Sequence, residues 1–509
     1  MEKLNRRQFV AGTVVTGAAM AAGAAVALAD EGTPEGQWDL EADVVIVGAG
    51  GGGMAASVLL SEAGKKVVLV EVGSDQHAGN TSLCAGMIQG CCTKAQAEGG
   101  IEDSADEYLK LLDACAEGYG DPELRRLFAE NCGPTVDWLA EQGVAFPPEN
   151  ISTSGTVSDL YTDVTPSVPR RHVVASYSGA EIVDVLYDKA VANDAEFLFN
   201  TEATRLVSDG GRVVGIMAAG TDGNELSIGA RDAVLMSAGG FSRNIDMVNT
   251  FMTPSMAGMA SDRPVLASYG SPYQKGTGIR MCMALGAGLA TPWVAYNAAP
   301  GIAANPAVNQ GGFIGTPGIY VSTDGKRHIN EDRNSCSSEA MMTKIWQQDQ
   351  GFVWGIWDQV GVDGAPVHYI SQDFSNEVEE GYIFKAETLE ELAEAIGVDP
   401  ATLVQTVADY NDAMAAGTDE LGRTGGAAIE QAPFYAGRVV AVSPDTAGGV
   451  TVNTRLQVVD VFGEPIPGLY AVGNMVGGFK GRVNVGCGQA IGWGYTSGRL
   501  AAEDILASA

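Results

Sequence analysis

Residues Ala42 to Glu71, ADVVIVGAGGGGMAASVLLSEAGKKVVLVE, read as one βαβ unit closed by an acid. The apolar run Val44 to Val47 is a buried strand. It enters Gly48-Ala49-Gly50-Gly51-Gly52-Gly53, which fits G-x-G-x-x-G, and a helix follows through Met54, Ala55, Val58 and Leu59. A second apolar strand, Val67 to Val70, then delivers Glu71. Glycines let backbone approach a pyrophosphate and let strand and helix pack closely. The helix N-terminus offers unpaired N–H groups and a positive dipole end. Glu71 is placed to accept hydrogen bonds from a ribose diol. Strand, glycines, helix, strand and acid in this order point to an adenine dinucleotide site, against a merely structural glycine turn.

The first thirty residues read as an address. Asn5-Arg6-Arg7-Gln8-Phe9-Val10 is a twin-arginine pattern, Val10 to Leu28 is mildly apolar and rich in Ala and Gly, and Ala27-Leu28-Ala29 is a cleavage signal. A removed signal peptide is expected in preference to a retained anchor. The twin-arginine translocase exports folded proteins, so a cofactor loaded in the cytoplasm travels with its chain. That favours a tightly held FAD over a soluble nicotinamide, and a location in the periplasm or at the exterior of the cell envelope.

About 480 residues remain, enough for two domains. The chain has 67 glycines, many in clusters of the kind that approach a cofactor, and a net charge of −33 that argues against nucleic acid and anionic membrane surfaces. An acidic surface suits solvation and permits association with a basic redox partner. Eight cysteines include no C-x-x-C or C-x-x-C-H, and only four histidines accompany them, so no metal, haem or iron–sulfur cluster is expected. Cys84, Cys91 and Cys92 follow the nucleotide unit closely, and buried, inert thiols are the expectation for them.

Further along, Asp121 to Gly143 reads as a helical hairpin broken at Gly133-Pro134, and Gly179 to Ala192 as a helix. Short strands are predicted near Phe197 to Phe199, Ala203 to Ser208, Arg212 to Ala218 and Ala233 to Ser237, the last entering Ala238-Gly239-Gly240-Phe241 as a second cofactor contact. Gly276 to Gly288 reads as a glycine-opened helix. From residue 291 the texture changes to Pro, Asn, Gly and aromatics. There Ile319 to Ser322 and Arg327 to Ile329 read as a hairpin leading into a helix with Met341, Met342 and Ile345, and Thr388 to Ala395 and Pro400 to Met414 as a helix pair. Glycine-rich texture returns after Val439. The expected fold class is α/β, a Rossmann-like FAD-binding domain (38–290 and 439–509) with an inserted α+β capping domain (291–438) behind a signal at 1–30.

The chain resembles the FAD-dependent fumarate reductase and 3-ketosteroid dehydrogenase superfamily, including the flavocytochrome c-like flavoprotein subunits. The resemblance is carried by ADVVIVGAGGGG, His77-Ala78-Gly79-Asn80-Thr81-Ser82, Ser237-Ala238-Gly239-Gly240-Phe241, GKRHINED at Gly325 to Asp332, and GLYAVGN at Gly468 to Asn474. It implies an extended FAD with its pyrophosphate near Gly48, Gly50, Gly52 and Gly53 and its ribose at Glu71. Asn80, Thr81 and Ser82 would lie by the phosphates and ring, with Gly86 following. Ala203 would lie by the adenine, Gly239 and Gly240 at the second strand exit, Gly473 and Asn474 at the ribityl chain, and Gln489, Ala490 and Ile491 at the pyrimidine edge.

The family's chemistry is hydride exchange between flavin N5 and a carbon next to an electron-withdrawing group, with a proton moved at the neighbouring carbon. The resemblance implies Arg333 as proton donor, two residues after Glu331. An arginine is a weak acid and needs relay from a nearby carboxylate, so Glu331 joins the catalytic candidates. Tyr320, Tyr296 and Tyr495 are further possible acids, and Tyr320 is carried with the catalytic set.

The histidines that hold a dicarboxylate in the fumarate enzymes are absent from Ser443 to Gly449 and from Gly477 to Arg482. Lys480, Arg482 and Asn484 are the substrate candidates, with Asp445 disfavouring an anion. Gly486 to Gly492 resembles the ketosteroid dehydrogenase pattern, yet Asn484 stands where that pattern has tyrosine. The leading reading is an exported monomer reducing an activated C=C bond of an enone or enoate. Its electrons would come from a separate cytochrome, flavoprotein or quinone-linked donor. The alternatives are a dehydrogenase introducing a C=C next to a ketone, and a flavin electron-transfer subunit. A lid of about 145 residues favours an enzyme, since closing a pocket excludes water.

Overall fold

The computed structural model describes residues 38–153, 162–252, 270–292, 295–296, 299–303, 311–314, 318–331, 341, 344–345, 347–348, 351–364, 367–368, 373–442 and 445–509. The candidate signal peptide, Arg333, Met342, Ser443 and Pro444 lie outside them. The first strand, β1 (Leu40–Val47), carries its apolar run between two parallel neighbours. A strand buried on both faces needs continuous rather than alternating hydrophobicity, and Val44, Val45 and Ile46 are fully buried. From Gly48, at φ +101°, the chain turns into helix α1 (Gly51–Glu62) and returns through β2 (Val67–Val70).

Four more strands of this sheet follow before residue 291: β3 (Glu196–Leu198), β4 (Thr201–Asp209), β5 (Arg212–Gly220) and β6 (Glu225–Met236). Near the end come β7 (Gln457–Val459) and β8 (Pro465–Ala471). The sheet order is β7-β8-β6-β1-β2-β3, with β8, β6, β1, β2 and β3 mutually parallel and the β4–β5 hairpin attached to β6. All five parallel strands therefore end on one edge. Strand β6 is longer than the sequence reading, because residues 225–230 gain their strand character from pairing to β5 and β1 and not from an apolar run of their own.

Helix α2 (Pro122–Gln142) is continuous where a hairpin was expected. An interior proline costs about 3 kcal/mol in a helix. Leu124, Phe128, Cys132, Val136 and Leu139 nevertheless form one buried stripe that runs across Pro134, and burying it outweighs the break. Gly133 lets this helix touch Cys91, since a Cβ there would lie 1.8 Å from the Cys91 carbonyl oxygen. Helices α3 (Gly179–Ala192) and α4 (Thr277–Ala284) form close to where the pattern placed them.

A second, antiparallel sheet is drawn from residues 299–442. Its central strand Phe434–Val442 pairs with Val353–Trp357, Ile383–Ala386 and Ala299–Ala303. Helices α5 (Leu389–Ile396) and α6 (Pro400–Ala416) cover one face, where Ile319, Val321, Trp354, Ile356, Phe434 and Ala436 meet Leu392, Leu403 and Val407. The alternate residues Val353, Trp357 and Tyr435 join the larger core. The expected 319–329 hairpin is a turn instead. Ser322 N–H donates to Lys326 O, and Ile319–Val321 takes Val353–Trp357 as partner while Arg327 is drawn into an ion cluster.

The closing helix α7 (Gln489–Ser508) packs across α1, with Gly498 against Gly52. A Cβ on Gly498 would sit 2.1 Å from the Gly52 carbonyl oxygen, whereas one on Gly494 would find nothing nearer than 3.8 Å. Gly498→Ala is expected to lose about 1–3 kcal/mol of unfolding free energy through overpacking. In the ligand-free protein Gly494→Ala should hold or gain about 1 kcal/mol as a helix-interior glycine is removed, since its Cβ would enter the open cleft. Denaturant titration of the two variants beside wild type checks the contrast.

Candidate functional site

A cleft runs along the carboxyl ends of the parallel strands. Its lining follows the strand order: Thr201 to Ala203 after β3, Glu71 after β2, Gly48 to Gly52 after β1, Ser237 to Gly239 after β6, and Val472 to Asn474 after β8. Neighbouring strands lie about 4.8 Å apart, so these five ends span roughly 19 Å. Ligands of open parallel sheets bind outside such ends.

At one end of the cleft, Glu71 is buried, and its oxygens accept from Ala49 N–H and Gly73 N–H, each at 2.8 Å. The carboxylate therefore ties the glycine turn to the end of β2 as well as facing the cleft. Burial raises its pKa against those backbone bonds. In the first turn of α1, Gly51 N–H donates to Thr81 Oγ1 and Gly53 N–H to Ser237 Oγ, both at 2.9 Å. The side chain of Asn80 accepts from Ser271 N–H at 2.6 Å, which fixes the 78–81 loop beside the cleft.

The backbone leaves room for a ligand where the dinucleotide reading requires it. A Cβ on Gly50 or Gly473 would have no neighbour closer than 3.8 Å, and one on Gly79 none closer than 3.6 Å. These three glycines bare their backbone to open space, as a cradle for a long phosphate-bearing ligand does. The residues present thus fit an adenine dinucleotide.

Of the expected cofactor residues, Gly48, Gly50, Gly52, Glu71, Asn80, Thr81, Ala203, Gly239, Gly473, Asn474, Ala490 and Ile491 line this cleft. The other five stand behind its wall. Gly53 is pressed on the Gly48 carbonyl, Gly86 on Val174 and Ser178, and Gly240 on Thr446, while the Gly240 N–H donates to Gln274. Ser82 and Gln489 are buried side chains outside the lining. Ser271, Tyr273, Gln274, Thr277 and Met281 line the cleft without having been singled out, since they come from a loop and helix start with no phosphate-binding pattern.

The catalytic and substrate candidates do not gather. Glu331 Oε1 accepts from Tyr320 N–H and Arg327 Nε, each at 2.9 Å, and its Oε2 from Arg327 at 2.7 Å and Arg423 at 3.0 Å. Asp419 pairs with Arg327, and both guanidinium groups lie over the Tyr410 ring. This is a buried charge cluster among strands and helices of the second sheet, and it engages Glu331 structurally. Tyr320 is core, and Tyr495 packs under Gly51, with burial pushing its hydroxyl well above the usual tyrosine range.

Lys480 and Asp445 pair with each other beside Asn474, so the lysine is no free grip and the aspartate no free repeller. Arg482 is exposed and meets Glu117 at 3.3 Å. Asn484 accepts from Gly486 N–H at 3.0 Å, bracing the turn into α7. Among the described residues the cysteines are free, with the Cys91 and Cys92 sulfurs 3.5 Å apart, and no three His, Cys, Asp or Glu side chains assemble as a metal site.

The FAD binding domain family matches residues 43–491. A probable fumarate reductase of Shewanella frigidimarina is 30% identical over 91% of this chain and 74% of its own length. An NADH:acrylate oxidoreductase of Vibrio harveyi is 28% identical over 91% of this chain, which spans only 50% of that protein. The open conformation of a flavocytochrome c3 fumarate reductase superposes with TM-score 0.72 at 27% identity, covering 92% of this chain and 79% of the other. The 3-ketosteroid-Δ4-(5α)-dehydrogenase of Rhodococcus jostii RHA1, solved with 4-androstene-3,17-dione, gives 0.67 at 25% identity, covering 94% and 99%.

Two expectations follow from the buried groups. Removing Glu331 leaves two buried arginines without their shared carboxylate, so Glu331→Ala should lose about 3–5 kcal/mol of stability while flavin absorbance survives. Denaturant titration beside a visible spectrum separates the two effects. His172 is fully buried, its Nδ1 against Arg170 O and its Nε2 against Thr93 Oγ1, and burial lowers its pKa to about 4 from 6.5. The unfolded chain therefore binds the extra proton first. Stability from this group is complete above pH 6.5 and is lost towards pH 4, by about 3 kcal/mol at the limit. The difference in unfolding free energy between wild type and His172→Gln should change over that window and stay flat above it.

Proposed function

The chain belongs to the FAD binding domain family, and we propose that it is an exported reductase that saturates an activated carbon–carbon double bond of an enone or enoate. It is an FAD-dependent oxidoreductase of the fumarate and enoate reductase and ketosteroid dehydrogenase type. The observation that carries the finer reading is the glycine-bared cleft along five strand ends, in a chain similar over nine-tenths of its length to reductases of fumarate and acrylate.

Bound FAD supplies the hydride. The chain's own residues bind, orient and exclude. Gly50, Gly79 and the first turn of α1 hold the pyrophosphate, Glu71 the ribose, and Ala203 the adenine side. Gly473 and Asn474 would hold the polyol chain, and Ala490 and Ile491, in the first turn of α7, would bring that helix's positive end to the ring's side of the cleft. The insert 291–438, which carries most of the second sheet, acts as a lid and keeps water from the transfer. Arg333 donates the proton. Its relay partner is not Glu331, whose oxygens serve Arg327 and Arg423. Electrons arrive from a separate extracytoplasmic donor, and the twin-arginine translocase delivers the loaded, monomeric protein.

The Lys480–Asp445 pair favours a neutral enone over a dicarboxylate, because the ammonium nearest Asn474 is already matched by a carboxylate. The reverse direction, dehydrogenation next to a ketone, is the second reading. It is favoured by Gly486 to Gly492 and by a similarity covering 99% of the ketosteroid dehydrogenase.

Photoreduced protein, mixed anaerobically with enones, monocarboxylic enoates and fumarate, is expected to reoxidise fastest with an enone. Arg333→Ala should keep its flavin and lose that reoxidation by at least a hundredfold. No reoxidation by any compound would turn the reading to an electron carrier, and unchanged turnover in Arg333→Ala would remove that arginine from the mechanism.

A further inference from the structure

Three side chains from separate segments meet beside the cleft at its Asn474 end. Lys480 Nζ, on a residue only 2% exposed, donates to Asp445 Oδ2 at 2.5 Å, Asn474 Oδ1 at 2.9 Å and Thr446 O at 3.1 Å. Three acceptors match the three N–H bonds of an ammonium. Asp445, 4% exposed, also accepts from Thr446 N–H at 2.7 Å and from the Asn474 side chain.

The Asn474 amide is thereby fixed in one sense. Its oxygen meets the ammonium and its NH2 the carboxylate, and a flip would set donor against donor and acceptor against acceptor. Bonds beside and from this cluster brace the chain on either side of the cleft. Gly473 N–H is held by Ser497 Oγ at 3.0 Å, and Thr446 Oγ1 accepts from Phe241 N–H at 3.3 Å, where the chain leaves β6.

We propose that Asp445 and Lys480 are positioning residues for the cofactor, clamping the Asn474 amide in one orientation and locking the β8 and β6 exits together. They do not grip a substrate carboxylate. This rests on the placement of FAD given above. Burial pushes the Lys480 pKa down and that of Asp445 up, so each charge persists through its partner. A buried pair with one member removed leaves the other uncompensated. A neutral replacement of both leaves no bare charge.

The test uses holoprotein of wild type, Lys480→Met, Asp445→Asn, the double Asp445→Asn/Lys480→Met, Asn474→Ala, and Asn474→Ala/Lys480→Met. Flavin dissociation constants come from equilibrium dialysis and midpoint potentials from spectroelectrochemistry. Lys480→Met and Asp445→Asn should each weaken flavin binding at least tenfold and move the potential, with the double closer to wild type in melting temperature than either single. In the Asn474→Ala background, Lys480→Met should change flavin affinity less than threefold. The double variant stands in if a single fails to fold, its flavin affinity still at least tenfold below wild type.

Two results would overturn the clamp: effects of Lys480→Met and Asn474→Ala on flavin affinity that simply multiply, or a Lys480→Met protein whose flavin affinity and potential match wild type while KM for a carboxylate substrate rises. Wild-type protein without flavin absorbance would instead strike at the cofactor reading itself.

Discussion

Backbone meets backbone at the turn between β1 and α1, and the cleft depends on that approach. A Cβ on Gly48 would sit 2.6 Å from the Ser237 carbonyl, one on Gly53 2.1 Å from the Gly48 carbonyl, and one on Gly498 2.1 Å from the Gly52 carbonyl. Segments from the start, middle and end of the chain thus converge within the thickness of a peptide. Any side chain in this layer separates the helices from the strand ends. The binding surface would then widen, because its walls are the same backbone groups that make these contacts. Glu71 adds a polar tie, holding Ala49 and Gly73 through a single carboxylate.

Charge is handled by a similar rule. The chain carries −33 overall, and its acids sit mostly in solvent; three sets of deeply buried ions are matched by opposite charge, while buried Glu71 and Asp358 are met by backbone N–H groups. Arg170 grips Asp103 across 67 residues, Glu331 lies between Arg327 and Arg423, and Lys480 meets Asp445. Each group joins segments distant in sequence. Desolvation consumes much of what such a pair gains, so its contribution lies in fixing one arrangement of loops and not in net stability. In the Glu331 cluster that arrangement is the turn after Ile319–Val321. In the Lys480 pair it is the rim of the cleft.

The βαβ unit was legible because every element it needs lies within thirty residues and its hydrophobic period is unambiguous. The helix pair α5 and α6 was equally plain, and the structure adds Thr388 and Asp399 as its caps. Local rules failed where distant contacts decided. Pro134 promised a break, but a buried stripe on both sides of it carried α2 through. Arg327 to Ile329 promised a strand, but Arg327 answers to Glu331 and Asp419. Ser271 and Gln274 reach the cleft from a loop whose residues have no pattern until Asn80 and Gly240 dock on them. A motif search finds the residues that must be glycine. The residues that brace those glycines are identified by geometry alone.

Lys480 shows how far a residue's type is from its role. Read along the chain, a lysine in the place of a substrate-binding histidine suggests an anion grip weakened by a nearby aspartate. In three dimensions the aspartate is its partner, and the cation faces an amide, a carbonyl and a carboxylate. An ammonium so enclosed has little field left to offer, since beyond the short N–O separation the pair acts on a third group as a dipole. At the β8 exit this pair therefore presents neither a free cation nor a free carboxylate.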